Sequence, residues 1–310
     1  MARVAFVFAG QGDQYPGMGE DLYRSSRAAQ EVFAACDAIR PGTSAMCFHG
    51  SAEELKRTSN TQPCLYAMEL AAAAALQERG IRADCLAGFS LGELTAAAFA
   101  GYFSCQAGFR LVIRRADLMQ ACADREETGM LAVLGLDSAQ VDRLAQSYDR
   151  IYPVNYNCPG QTSVAGARGQ IRDFMADVRK AGGRAIPLRV AGAFHSPFME
   201  GAREPFAEAV SAELARAEED SALAASAAGR HLLPLYSDRT AEPYGENVTE
   251  LLSSQLCHPV RWEELVRNMI RDGVDHFIEI GPGRTLTNMI RRISADLTAV
   301  TYREMLEDKA

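Results

Sequence analysis

The run Gly88-Phe89-Ser90-Leu91-Gly92 sets a serine two residues after one glycine and two before another. That spacing fits G-x-S-x-G, the nucleophile elbow, in which a tight strand-to-helix turn exposes a serine hydroxyl. A bulky side chain at either glycine would strike neighbouring backbone. A serine at the start of the next helix would face free N–H groups that favour developing negative charge. The same run fits an ordinary strand–helix turn, so context matters. An apolar Cys85-Leu86-Ala87 run precedes it and an Ala-rich, helix-forming run follows, as the motif requires.

A serine at its usual pKa needs a base. The histidines are His49, His195, His231, His258 and His276. His195, in "VAGAFHSPFM", lies at the end of an expected strand, where catalytic groups can emerge from a scaffold. His276 opens a strand and His231 sits in a polar loop, positions that suit structural or solvated histidines. The first strand runs into "FVFAGQGDQYPGMG", which lacks the Gly-Lys-Ser/Thr of a phosphate loop and is not G-x-G-x-x-G. This loop is either a plain β–α turn or a donor of backbone N–H to an oxyanion. "RLVIRRADLMQ" carries Arg110, Arg114 and Arg115 on an otherwise apolar helix. A guanidinium there suits bidentate binding of a carboxylate, or else snorkels to the surface.

The elements that must position these groups follow from periodicity. Residues 4–9 read as a strand, with helical patterns over about 17–39, 52–57 and 62–79. "CLAGFS" is a short buried strand, followed by helices over 91–100 and 106–122. Strand, glycine turn and helix in this order predict a parallel sheet with crossover helices. From 129 the rhythm changes to strand "GMLAVLGL", helix "DSAQVDRLAQSY", strands "IYPVNYN" and "TSVAGA", helix "GQIRDFMADVRKAG" and strand "RAIPLRVAGAF". That is βαββαβ, a ferredoxin-like unit. A helix over about 198–218, a solvated loop "EEDSALAASAAGR" and strand "LLPLYSD" come next. Helices at 247–254 and over "HPVRWEELVRNMIRDG", strand "HFIEI" and a last helix after "GPGR" complete the chain. The expected organisation is α/β: a parallel-sheet body in 1–127 and 195–310, with the ferredoxin-like subdomain inserted at 128–194.

Bulk properties narrow the function classes. The chain has 310 residues, 48% apolar and 23% charged, as expected of a soluble globular protein. A net charge of −8 argues against general nucleic-acid binding, which needs a basic face. The eight cysteines form no CxxC pair and no zinc-type spacing, so free thiols in a reducing cytoplasm are expected, with no metal. The N-terminal apolar run is too short for a signal-peptide core. "LYAMELAAAAAL" is broken by Glu69 and falls short of the roughly 20 residues of a membrane span.

Together "FVFAGQGDQYPGMG", "GFSLGELTAAAFAG", "RRADLMQ", "NYNCPGQTSVAG", "GAFHSPFM", "QLCHPVRW" and "IEIGPGRTLTNMI" resemble, in order and over almost the whole chain, the malonyl-CoA:acyl carrier protein transacylases. These are related to acyltransferase domains of fatty-acid and polyketide synthases. The resemblance implies a hydrolase-like α/β body with an inserted ferredoxin-like subdomain. It implies Ser90 as the acylated nucleophile and His195 as its base, oriented by a backbone carbonyl, with Gln255 contributing. It implies an oxyanion hole from the N–H groups of Gln11 and Leu91, and Arg115 as the clamp on the malonyl carboxylate. Asn157 would line the cleft, and Phe194 matches the malonyl-type pattern that leaves little room for an α-methyl group.

Malonyl-CoA and the phosphopantetheine thiol of acyl carrier protein are then substrates, with no cofactor, and a cytoplasmic monomer is expected. Candidates for a basic docking patch are Arg284, Arg291, Arg292, Lys180 and Arg184. The chain departs from the family at Phe89, where His is usual, at Ala116, where Gly is usual, and at Asp238, where Asn is common. The loop near 219–230 is longer. Asp238 and this loop are expected to leave the core chemistry untouched, whereas Phe89 is expected to shape the cleft.

Overall fold

Two faces of one buried strand divide the body of the molecule. In β1 (Val4–Phe8), Phe6 and Phe8 enter one apolar cluster while Ala5 and Val7 enter another. A continuous apolar run is what a central parallel strand needs, because helices cover both of its faces. The computed structural model describes residues 2–188, 190–223 and 232–307.

After β1 come α1 (Glu20–Ser25), α2 (Arg27–Ile39), α3 (Thr43–His49) and α4 (Thr58–Glu78). Next are β2 (Cys85–Gly88), α5 (Leu91–Ala100) and α6 (Cys105–Ala123). A second group follows: β3 (Thr128–Leu134), α7 (Ser138–Ala145), β4 (Ile151–Cys158), β5 (Gln161–Ala167), α8 (Arg168–Lys180) and β6 (Arg184–Pro187). The chain closes with α9 (Glu200–Leu223), α10 (Val248–Ser254), α11 (Trp262–Arg271), β7 (His276–Ile280), α12 (Thr285–Ile293), β8 (Thr298–Thr301) and α13 (Tyr302–Glu307).

The first sheet has the order β2-β1-β7-β8, all parallel. The second has the order β4-β5-β3-β6, all antiparallel, the arrangement of a ferredoxin-like βαββαβ unit. Strand alternation gives this second sheet two different faces. Leu131, Val133 and Val164 pack with Phe174 and Val178 of α8, while Met130, Ala132, Asn157 and Ser163 line a cleft against the body. Val260 stitches the two parts together: Tyr156 N donates to its carbonyl at 2.9 Å, and its own N–H donates to Val154 O at 2.9 Å.

Several boundaries differ from the periodicity. The helix expected over 17–39 is two helices, because Ser26 adopts an extended conformation and its hydroxyl caps α2 by accepting from Ala29 N. β6 stops at Pro187, so "VAGAF" does not continue that strand. "LLPLYSD" makes isolated bridges rather than a strand: Leu235 parallel to Leu86 of β2, and Tyr236 antiparallel to Pro243. α9 runs on to Leu223, through part of the expected loop; residues 224–230 of that loop, and His231 after it, lie outside the described residues. The short strand β8 and helix α3 carried too little periodicity to stand out. Among the described residues no helix is long and apolar enough to cross a membrane.

Candidate active site

Close packing makes the elbow. A Cβ at Gly92 would overlap the carbonyl of Phe8, and one at Gly88 would overlap the Gly92 backbone. Only glycine lets α5 sit this tightly on β1 and β2. Two residues join β2 to α5, and Ser90 takes up the turn with φ 57 and ψ −105, a strained conformation for a side chain with a Cβ. The strain is held by named contacts: Phe89 N donates to Phe8 O at 2.9 Å, Ser90 N donates to Asp238 Oδ2 at 2.5 Å, and Gln255 Nε2 donates to Ser90 O at 2.8 Å.

His195 arrives on the loop after β6 rather than on a strand end. It too has a positive φ, of 59, and its N–H donates to Leu256 O at 3.1 Å. Its Nδ1 lies 2.8 Å from the Gln255 carbonyl. A carbonyl only accepts, so Nδ1 carries the proton and Nε2 has a free lone pair. That Nε2 lies 2.6 Å from Ser90 Oγ. Burial, reinforced by the Arg115 charge, lowers the His195 pKa to about 4 against the opposing pull of the Gln255 carbonyl. The imidazole is therefore neutral at physiological pH and ready to take the serine proton.

Arg115 is 1% exposed, so it does not snorkel to the surface as an arginine of α6 could. Arg110 instead pairs with Glu213 through two hydrogen bonds at 2.8 and 2.7 Å. Arg115 Nη1 donates to Gln62 Oε1 at 2.9 Å, and Nη2 donates to Gln255 Oε1 at 2.8 Å and to Ser90 Oγ at 3.2 Å. Burial lowers its pKa to about 10, with the Glu93 charge opposing. It remains a cation beside the nucleophile.

The cleft around this group has a volume of about 240 Å³. Gln11, Leu91, Asn157 and Phe194 all line it with Ser90, Arg115 and His195. Met119, Met130, Leu188 and Val190 supply an apolar wall. The Phe89 ring packs edge-on against Trp262, centroids 5.6 Å apart, so the residue before the nucleophile builds the cleft by packing.

The structure corrects one expectation outright. Asp238, expected to lie apart from the core chemistry, holds the backbone N–H of Ser90. Three other partners were not named as site residues. Gln62 anchors Arg115, Glu93 is fully buried one turn after Ser90, and Tyr244 donates to Glu93 Oε1 at 2.6 Å. Glu93 left one trace in the sequence, a lone charge in the apolar helix "LGELTAAAFA". Gln62 left none.

Residues 5–302 match the acyl transferase domain family. The chain is 34% identical to the malonyl CoA-acyl carrier protein transacylase of Bacillus subtilis, over 98% of this chain and 94% of that one. Its fold superposes on the crystal structure of the Clostridium perfringens malonyl CoA-acyl carrier protein transacylase with a TM-score of 0.89 at 30% identity, covering 99% and 97% of the two chains. A malonyl-transacylase solved in complex with its type II polyketide-synthase acyl-carrier protein is similar at a TM-score of 0.87 and 30% identity, covering 99% and 100%. Family model, sequence and fold agree over nearly the full length, and the chain belongs to the malonyl-CoA:acyl carrier protein transacylase family of acyl transferase domains.

Proposed function

We propose that this protein transfers a malonyl group from malonyl-CoA to the phosphopantetheine thiol of an acyl carrier protein, through an ester on Ser90. The observation that carries this reading is the convergence on one hydroxyl: His195 Nε2 at 2.6 Å and the buried Arg115 guanidinium at 3.2 Å. A base beside a serine makes a nucleophile. A buried guanidinium beside the same serine adds a selector for an acyl group that carries its own carboxylate.

Ser90 loses its proton to His195 Nε2 as Oγ adds to the thioester carbonyl. The oxyanion is received by the N–H groups of Gln11 and Leu91, each donor contributing about 3 kcal/mol in comparable sites. Collapse breaks the C–S bond, the CoA sulfur takes the proton back from His195, and the malonyl ester remains on Ser90. The carrier thiol then gives its proton to His195 and attacks the ester, and Ser90 recovers a proton as it leaves. This is ping-pong transfer. Arg115, fixed by Gln62 and Gln255, turns to the malonyl carboxylate, while Phe194 limits space for an α-substituent and Asn157 lines the channel.

The reading needs no metal or redox cofactor, since both thiols are substrates. It places the enzyme in the cytoplasm, in keeping with eight unpaired cysteines, and supplies fatty-acid or polyketide elongation. Of the candidate docking cations, Arg292 binds Gln161 and Pro159 O, Arg284 pairs with Glu304, and Lys180 pairs with Asp177.

Acyl transfer and thioester hydrolysis differ only in what resolves the ester. Labelled malonyl-CoA incubated with and without holo carrier protein separates them. The expected result is label on the carrier thiol and slow release of free malonate in its absence. Fast malonate release that ignores the carrier would make the protein a hydrolase.

A further inference from the structure

Beneath the nucleophile lie two buried carboxyl groups and one buried guanidinium, so the charges do not balance if all three are ionised. Asp238 and Glu93 are each fully buried. Glu93 has donors on both oxygens: Tyr244 OH at 2.6 Å and Asp238 N at 3.2 Å on Oε1, and Gln255 Nε2 on Oε2. Asp238 is unlike it. Its Oδ2 receives Ser90 N at 2.5 Å, with Gln255 Nε2 at 3.4 Å, and its buried Oδ1 has no hydrogen-bond partner among the described residues.

An ionised carboxylate with an orphaned oxygen, next to a second carboxylate and out of water, is among the costliest arrangements in a protein interior. A neutral carboxyl in the same place loses far less. One proton on the pair would remove that cost, and the oxygen without a partner belongs to Asp238. The titratable groups that face the pair are Arg115 from α6, Tyr244 from the turn after Leu235, and His195 across the Ser90 hydroxyl.

We propose that Asp238 is a positioning residue held neutral beneath Ser90, its Oδ2 fixing the strained nucleophile backbone while Glu93 alone balances Arg115. The direction of the titration agrees. Burial, then the Glu93 charge, pushes the Asp238 carboxyl well above the usual carboxylate range, against the Ser90 N–H and Arg115. The turn is built to hold this side chain in place. Ala241 N donates to Ser237 O at 2.8 Å and Ser237 N to Glu242 O at 3.0 Å, with Ala241 itself at a positive φ of 62.

Two consequences follow for the reaction. The elbow keeps its shape because both backbone polar groups of Ser90 end on buried side chains, the N–H on Asp238 and the carbonyl on Gln255. Arg115 also meets an incoming carboxylate with its charge offset once rather than twice. An ionised Asp238 would leave the cluster at net −1 and repel that carboxylate. This second consequence rests on the malonyl reading, and the first does not.

The test therefore has an arm for each. Phenylmethylsulfonyl fluoride, a serine-directed reagent, reports the reactivity of Ser90 without any acyl-CoA. Asp238→Asn, which keeps shape and an acceptor oxygen without a charge, is expected to label within about twofold of wild type, and Asp238→Leu about 100-fold more slowly. Labelling profiles of wild type and D238N should superimpose from pH 6 to 9, which holds even if D238L does not fold. Wild-type labelling rates in D238L would remove the positioning role. An inflection in the wild-type profile that D238N lacks would show an ionising Asp238 and overturn its neutrality.

The second arm compares acylation by malonyl-CoA and acetyl-CoA at pH 8. The expected malonyl-to-acetyl ratio in D238N is within about twofold of wild type, whereas a rise of about tenfold or more would mean that the aspartate had been opposing the substrate's charge. Wild-type protein that labels with the sulfonyl fluoride and forms no malonyl ester would sink the substrate reading while the labelling arm still decides the role of Asp238.

Discussion

Replacing His195 with alanine lowers the rate of Ser90 acylation by about 10³-fold or more, because the site loses the only proton acceptor that the described residues place within reach of Oγ. The geometry leaves little alternative. Arg115 Nη2 is the other polar group on that oxygen, and a guanidinium donates rather than accepts. The pH profile provides an independent check. Catalysis needs the neutral imidazole, and burial together with Arg115 holds the His195 pKa at about 4. The wild-type acylation rate should therefore rise with pH through about 4 and run flat across the neutral range, without an inflection near the usual histidine value of about 6.5. Stopped-flow release of CoA thiol over this range reads both effects. A rate that falls below pH 6.5 in step with an ordinary imidazole would mean that the histidine is hydrated and not packed as described.

The second large effect concerns selectivity. Arg115→Ala should cut acylation by malonyl-CoA about 10²- to 10³-fold, the loss of a charge-assisted bidentate pair in a dry site. Acetyl-CoA has no carboxylate to lose, so its rate should fall much less, and the malonyl preference should shrink accordingly. The acetyl control matters because the substitution also strands the acceptor oxygens of Gln62 and Gln255 and leaves Glu93 without its counter-cation. General damage of that kind depresses both substrates together. Arg115→Lys should recover little, since a point ammonium cannot hold both glutamines and present two parallel donors. Equal losses for the two acyl groups would take the selector role away from Arg115.

Much of this site was legible because its chemistry is written in local spacing. The two glycines around Ser90 are demanded by backbone contact with Phe8 and within the elbow itself, so G-x-S-x-G carried real steric content. The rhythm change at 129 was legible for a similar reason: alternation and cap residues such as Asp137, which closes a capping box with Gln140, are short-range signals. His195 illustrates the limit. Its residue type and neighbours drew attention, but the expected strand ends eight residues earlier, at Pro187. A hydrogen bond to Leu256 O, from a distant segment, fixes the histidine backbone instead.

The supports were hidden for the same physical reason. Gln62, Asp238 and Gln255 reach the nucleophile region from three separate segments, and no period or motif within one segment records a contact made across 148 or 165 positions. Of these, family resemblance brings only Gln255 into the site. Asp238 departs from the family by one atom at a loop position, and only the fold brings that loop under Ser90.

The most direct measurement is the intact mass of the protein after brief exposure to malonyl-CoA, with peptide mapping of any adduct, in wild type and in Ser90→Ala. The account predicts one malonyl ester on the peptide that contains Ser90, absent from the alanine variant and discharged when holo carrier protein is added. An adduct that persists in Ser90→Ala, or a wild-type protein that processes malonyl-CoA without ever carrying the acyl group, would contradict it.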